Sequence, residues 1–120
     1  MARTLYERLG GADGIARLVD DAVDAHLENP LVKTRFENAG DIEHAKRMSC
    51  EFVAAGSGGP ETYTGRDMHT THKGMNISEQ EYLAVVDDIL GAMDRNGLGE
   101  EEKNDVIAIL YSLKGEIIRV

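Results

Sequence analysis

Apolar residues recur at spacings of three and four along most of this 120-residue chain, and nowhere do they alternate for long enough to make a convincing strand. The first helical pattern is short, Thr4 to Leu9, with Leu5, Tyr6 and Leu9 inward and Gly10-Gly11 as its stop. Asp13 stands where an N-cap belongs for the next helix, Gly14 to about Glu28. Its apolar face is Ile15, Leu18, Val19, Ala22, Val23 and Leu27. His26 falls near the centre of that face, where a histidine is ordinarily a hydrogen-bonded core residue or part of an interface. Asn29-Pro30 ends the helix, Leu31 to Phe36 reads as turn-rich, and Glu37 to Gly40 as a loop. Asp41 caps a helix to about Ala55, with Ile42, Ala45, Met48, Ser49, Phe52 and Gly56 as its inward stripe. Ala54, Ala55, Gly56 and Ser57 are small enough for another element to approach closely. Ser78 and Glu81 form a capping box for a helix from Glu79 to about Asn96, with Tyr82, Val85, Val86, Ile89, Leu90 and Met93 apolar. Gly97-Leu98-Gly99 breaks it, and a last helix runs from Glu100 to about Arg119. The pattern predicts an all-α fold, residues 1–120 as one domain, with glycine-rich joints.

Charge narrows the partners. The net charge is -9, and the basic residues are scattered with no stripe, which argues against nucleic acid and anionic membranes. No stretch approaches the ~18 continuous apolar residues of a membrane span. The N-terminus, Met1 to Tyr6, lacks an apolar signal-peptide core, and Cys50 is the only cysteine, so a reducing cytoplasm is expected, with a monomer or weak dimer. The sequence contains no nucleophile triad or carboxylate dyad. The Gly-Gly pairs follow no strand, as a phosphate loop requires.

Between the periodic segments lies the one stretch that carries chemistry. Gly58-Gly59-Pro60 ends a helix, and Asp67 to Lys73 makes about two helical turns before Gly74. His69 and His72 lie three apart on it, sharing roughly one face, and Met68 and His72 four apart. A neutral imidazole presented on a short helix suits a metal. The spacings of His44, His69, His72 and Cys50 match no zinc pattern.

Leu5-Tyr6-Glu7-Arg8-Leu9-Gly10-Gly11, Phe36, and Gly58-Gly59-Pro60 followed by Tyr63-Thr64-Gly65-Arg66, Met68, His72, Gly74 and Ile77 together resemble the truncated (two-over-two) haemoglobins, nearest their group I, the N or cyanoglobin-like type. The resemblance spans about Thr4 to Ile118. It implies two antiparallel helix pairs crossed around a haem b (iron protoporphyrin IX), in a bacterial protein that reversibly binds O2, CO or NO. It implies His72 as the proximal iron ligand, Phe36 on the haem face, and Tyr63, Met68, Ile77, Tyr82 and Val85 as walls. Val23, Met48 and Phe52 join the expected slot, because a flat apolar disc needs an apolar cleft. Lys46, Arg47, Arg66 and Lys73 are candidates for its propionates.

The distal side departs from the pattern. The tyrosine that usually donates to the bound gas is replaced by Val23, which has no donor. Counting forward from Phe36 puts His44 and Met48 at the two gating positions; counting back from Gly58 puts Ala45 and Ser49 there, with one extra residue in the 37–41 loop. Three distal pictures stay open: a mostly apolar pocket, His44 as a donor, or His44 as a second iron ligand. The family's proposed jobs include nitric oxide dioxygenation, protection from nitrogen oxides and sensing, served by a reductase of unknown identity. The alternative is a bis-histidyl redox or gas-sensing module without turnover.

Overall fold

The computed structural model describes residues 3–38 and 40–120. Met1 and Ala2 of the Met1–Tyr6 stretch, and Ala39 of the expected 37–40 loop, lie outside the described residues. Seven helices are present among the rest: α1 (Leu5–Arg8), α2 (Gly11–Glu28), α3 (Lys33–Glu37), α4 (Ile42–Gly56), α5 (Met68–His72), α6 (Glu79–Arg95) and α7 (Glu100–Ile117).

The four long helices coincide with the four periodic stretches, and side-chain caps fix several of the starts. Asp41 accepts the His44 N–H at 3.2 Å, Asp67 accepts the Thr70 N–H at 2.8 Å, and Ser78 and Glu81 complete both halves of their capping box. Two local expectations change. α2 begins at Gly11, not Gly14, because Gly10 adopts φ 99°, a left-handed turn that starts the helix without a side-chain cap. Asp13 therefore sits inside the first turn, where its charge meets the positive helix end. The supposedly turn-rich segment contains α3, which at five residues is too short to show a period. α6 and α7 end slightly early, at Arg95 and Ile117.

α2 is the hub, packed on α4 and on α6, while α7 packs on α5, α6 and α1. The closed core is Leu9, Ile15, Leu18, Val19, Ala22, Val23, Ala54, Ala92 and Met93. Each fully buried member, such as Ile15 or Met93, contributes roughly 1.5–3 kcal/mol of transfer free energy. The apolar stripe predicted as one surface of α4 is in fact two. Ile42, Cys50, Val53 and Ala54 meet the core. Ala45, Met48 and Phe52, spaced three and four apart, form a second, half-buried face, and Ser49 is exposed.

The small residues closing α4 do admit a neighbour. Tyr6 N–H donates to the Ser57 carbonyl at 2.9 Å, and a Cβ on Gly59 would lie 2.3 Å from the Tyr6 ring, so only glycine fits there. At the far end, the chain after α7 pairs with the turn after α5. Arg119 N–H donates to the Ile77 carbonyl at 2.9 Å, and the Val120 carbonyl accepts from Gly74 and Asn76 at 3.2 and 3.3 Å.

Candidate cofactor site

His72 closes α5, and its Nδ1 lies 2.8 Å from the Met68 carbonyl one turn back. A carbonyl can only accept, so Nδ1 carries the proton and Nε2 keeps its lone pair. No described protein group bonds Nε2. This is the arrangement of an imidazole oriented for a metal by its own helix. His69, expected on roughly the same face, is exposed, while His72 is half-buried.

α5 is held to the opposite side of the molecule before and after the histidine. Ahead of it, Thr64 donates to Glu51 of α4 from both N–H (2.9 Å) and hydroxyl (2.7 Å). Tyr63 meets Phe52 of α4 edge-on at 5.2 Å and donates its hydroxyl to the Arg66 carbonyl at 2.6 Å. Behind it, Arg35 of α3 donates to the Met75 carbonyl at 2.8 Å and to both oxygens of Glu81 at 2.6 and 3.1 Å. That guanidinium, together with the Ser78 N–H, draws the Glu81 carboxyl down to about 2.

Phe36, beside Arg35, stacks on His26 with ring centroids 4.5 Å apart and 20° between planes. His26 is 4 % exposed, and its Nδ1 lies 2.8 Å from Asp88, which also accepts from Asn29. Burial pushes the His26 pKa below its ordinary value, and Asp88 only partly offsets that, so the ring is neutral at pH 7. The core role read from its position on α2 is what the structure gives.

Of the apolar residues expected to wall the cofactor, Phe36, Met48, Phe52, Tyr63, Met68, Ile77 and Val85 are each half-buried. Tyr82 is half-buried too, but its hydroxyl donates to the Leu110 carbonyl at 2.5 Å, tying α6 to α7. Its ring lines a 480 Å³ groove between those helices. Val23, at 6 % exposure, belongs to the closed core and brings no donor. Ala45 is half-buried and Ser49 exposed. His44 is exposed on the first turn of α4, its Nδ1 2.9 Å from Arg47. Arg47 lines a 230 Å³ hollow between α2 and α4. Lys46 pairs with Asp20 at 3.2 Å. Arg66 and Lys73 are exposed and flank α5.

These residues fit a haem: one histidine whose Nε2 has no partner among the described residues, and half-covered apolar side chains on α4, α5 and α6 that a flat apolar group would cover. A bare metal site does not fit, since no three His, Cys, Asp or Glu residues converge among the described residues. No helix among them is long and apolar enough to cross a membrane. The Arg35–Glu81–Met75 contact is absent from the sequence reading. Its only local sign is Glu81 in the capping box; Arg35 lies far away in the chain and has none.

The family model for bacterial-like globins matches residues 4–119. A group 1 truncated haemoglobin of Tetrahymena pyriformis is 25% identical over 116 residues, covering 97% of this chain and 95% of that one. One from a Synechocystis strain is 29% identical over 112 residues, 88% of each. The Fe(III) crystal structure of the Tetrahymena pyriformis protein superposes with a TM-score of 0.93 at 24% identity, covering 98% of this chain and 100% of that one. The helix arrangement is therefore the two-over-two globin sandwich, with α2 and α4 as one pair and α6 and α7 as the other.

Proposed function

The chain belongs to the bacterial-like globin family as a group 1 truncated haemoglobin, a haem protein that binds diatomic gases reversibly at its iron, and on that premise we propose how its own residues do so. His72 is the protein ligand to iron through Nε2. The observation that carries this is the Nδ1 contact to the Met68 carbonyl at 2.8 Å, which fixes the tautomer and aims the free nitrogen away from α5. Haem b, held without a covalent link, supplies an iron that takes up O2, CO or NO. Phe36, Met48, Phe52, Met68, Ile77 and Val85 exclude water from its faces, with Tyr63 closing the end next to Phe52. Arg66 and Lys73 are the cations left for the propionates, because Lys46 is engaged by Asp20 and Arg47 by His44.

The distal side is an open, mostly apolar pocket. Ala45 offers no proton and Met48 only a thioether, Val23 is withdrawn into the closed core, and His44 stands outside the half-buried face of α4. Such a pocket gives bound gas little hydrogen-bond retention and favours rapid exchange, which suits nitrogen-oxide chemistry with an external reductase better than oxygen storage. The setting is cytoplasmic, with Cys50 a reduced thiol whose pKa burial raises. Ferric and dithionite-reduced absorption spectra of wild type and His44→Ala test the reading. Identical five-coordinate or water-bound spectra are expected. A low-spin wild type that turns high-spin in His44→Ala establishes the bis-histidine alternative instead.

A further inference from the structure

Arg35 has no part in the family resemblance, yet it makes the most connected polar contact around the ligand helix. Its three hydrogen bonds join α3 to the turn after α5 and to the first turn of α6. Met75 links the two sides. Its carbonyl accepts from Arg35 at 2.8 Å, and its N–H donates to the His72 carbonyl at 3.0 Å. One residue, through the two peptide groups on either side of its Cα, therefore joins the guanidinium to the backbone of the proposed ligand. Arg35 is also next in sequence to Phe36, whose ring is fixed from behind by His26. The guanidinium fork meets Glu81 with both oxygens, a two-point contact that sets angle as well as distance. Glu81 is itself fixed by the capping box at Ser78. On its other side the same turn is held by Val120.

We propose that Arg35 is a positioning residue for His72: through Met75 and Glu81 it fixes the separation and tilt of the ligand helix relative to the α3 wall that carries Phe36. The inference rests on His72 being the iron ligand and adds to it. A guanidinium outside the ligand set would then govern how firmly haem is held and how the imidazole is oriented toward iron.

The test uses holoprotein carrying Arg35→Gln, Arg35→Lys, Glu81→Gln and the Arg35→Gln/Glu81→Gln double substitution. Arg8→Gln is the control. Arg8 makes a comparable clamp, from α1 to Asp105 and Glu102 of α7 at 2.6 and 3.4 Å. Two readouts are taken: the rate of haem transfer to an excess apo-globin acceptor, and the iron–histidine stretching band of the ferrous protein by resonance Raman. Arg35→Gln is expected to speed haem loss about tenfold, the usual size for a group supporting a metal ligand, and to shift the band. Arg35→Lys recovers part of both, and the double variant is no worse than Arg35→Gln because the two residues act as one unit. Arg8→Gln lowers thermal stability and leaves the band where it was. The proposal is overturned if Arg35→Gln keeps the wild-type band and loses haem no faster than Arg8→Gln. Failure of the parent reading looks different: the wild type itself then lacks a histidine-bound ferrous spectrum, seen before any variant is made.

Discussion

Two halves of this molecule use residues of the same kind to different ends. Around α2, side chains close on one another: Ile15 is 1 % exposed and Met93 fully buried, with Leu18, Val19 and Ala92 packed beside them. Toward α5 and α7, residues just as apolar stay half-covered, among them Met48, Phe52, Met68, Val85, Ile109 and Leu113. α7 buries only Ile117 completely. Each 100 Å² of apolar surface left in water forgoes about 2.5 kcal/mol. A chain selected only for its own packing would draw α4 and α5 together. Here Thr64 and Tyr63 tie the segment before α5 to α4, and Arg35 ties the turn after it to α3, while the apolar residues of α4, α5 and α6 named above stay half-covered. The first half makes the fold; the second keeps the apolar surface that the proposed haem would cover.

The comparison breaks most visibly in the apoprotein. Met93→Ala should cost about 3 kcal/mol of unfolding free energy in urea titrations, since it opens a cavity in the closed half. Met48→Ala, in the half-covered face, should cost under about 1 kcal/mol in the apoprotein and act on haem retention instead. Equal losses for the two would erase the distinction.

Acid sharpens it next. Glu81 titrates at about 2 in the fold against an ordinary 4.5, so its contribution is complete above 4.5 and is lost as pH falls toward 2. After solvent screening this amounts to roughly 1–2 kcal/mol. Stability measured from pH 5 to 2.5 should fall less steeply in Glu81→Gln than in wild type. His26 belongs to the closed half and acts at higher pH. Its folded pKa is lowered by burial, so below about 6.5 the unfolded chain takes up a proton that the folded chain resists, and stability falls with pH from there. His26→Gln should remove that slope while weakening the stack on Phe36. An unchanged slope would mean that His26 is not the group responsible.

The smallest effect concerns the distal face. In the holoprotein, His44→Ala should leave CO association and dissociation within about twofold of wild type, because its imidazole is exposed and engaged with Arg47. A larger change in flash-photolysis rates would bring His44 into the pocket.

Much of this was legible in the sequence, for identifiable reasons. α2, α4, α6 and α7 are long enough to display a helical period, and Asp41, Ser78 and Glu81 announce their own helix starts. His72 was marked by a dense run of neighbours, Gly58 to Ile77, whose spacing is tied to one use. What escaped depends on tertiary contact. α3 is too short for a period to show. α4's stripe contains two faces, and only the packing of Ile42, Cys50 and Val53 on the core separates them. That separation puts Ala45, Met48 and Phe52 together and leaves Ser49 and His44 out, a partition neither way of counting along the chain produced. Arg35 and Glu81 stand 46 residues apart in the chain, and a scattered arginine on a surface helix has no pattern that reveals its partner.

The most direct test of the central claim is haem binding by His72→Gly with and without free imidazole. Wild type is expected to bind haem stoichiometrically with a histidine-ligated ferrous spectrum, His72→Gly to lose it, and added imidazole to restore it by occupying the place of the side chain. If His72→Gly retains haem with the wild-type spectrum, iron is held by another residue, and the reading of the half-covered face around His72 fails with it.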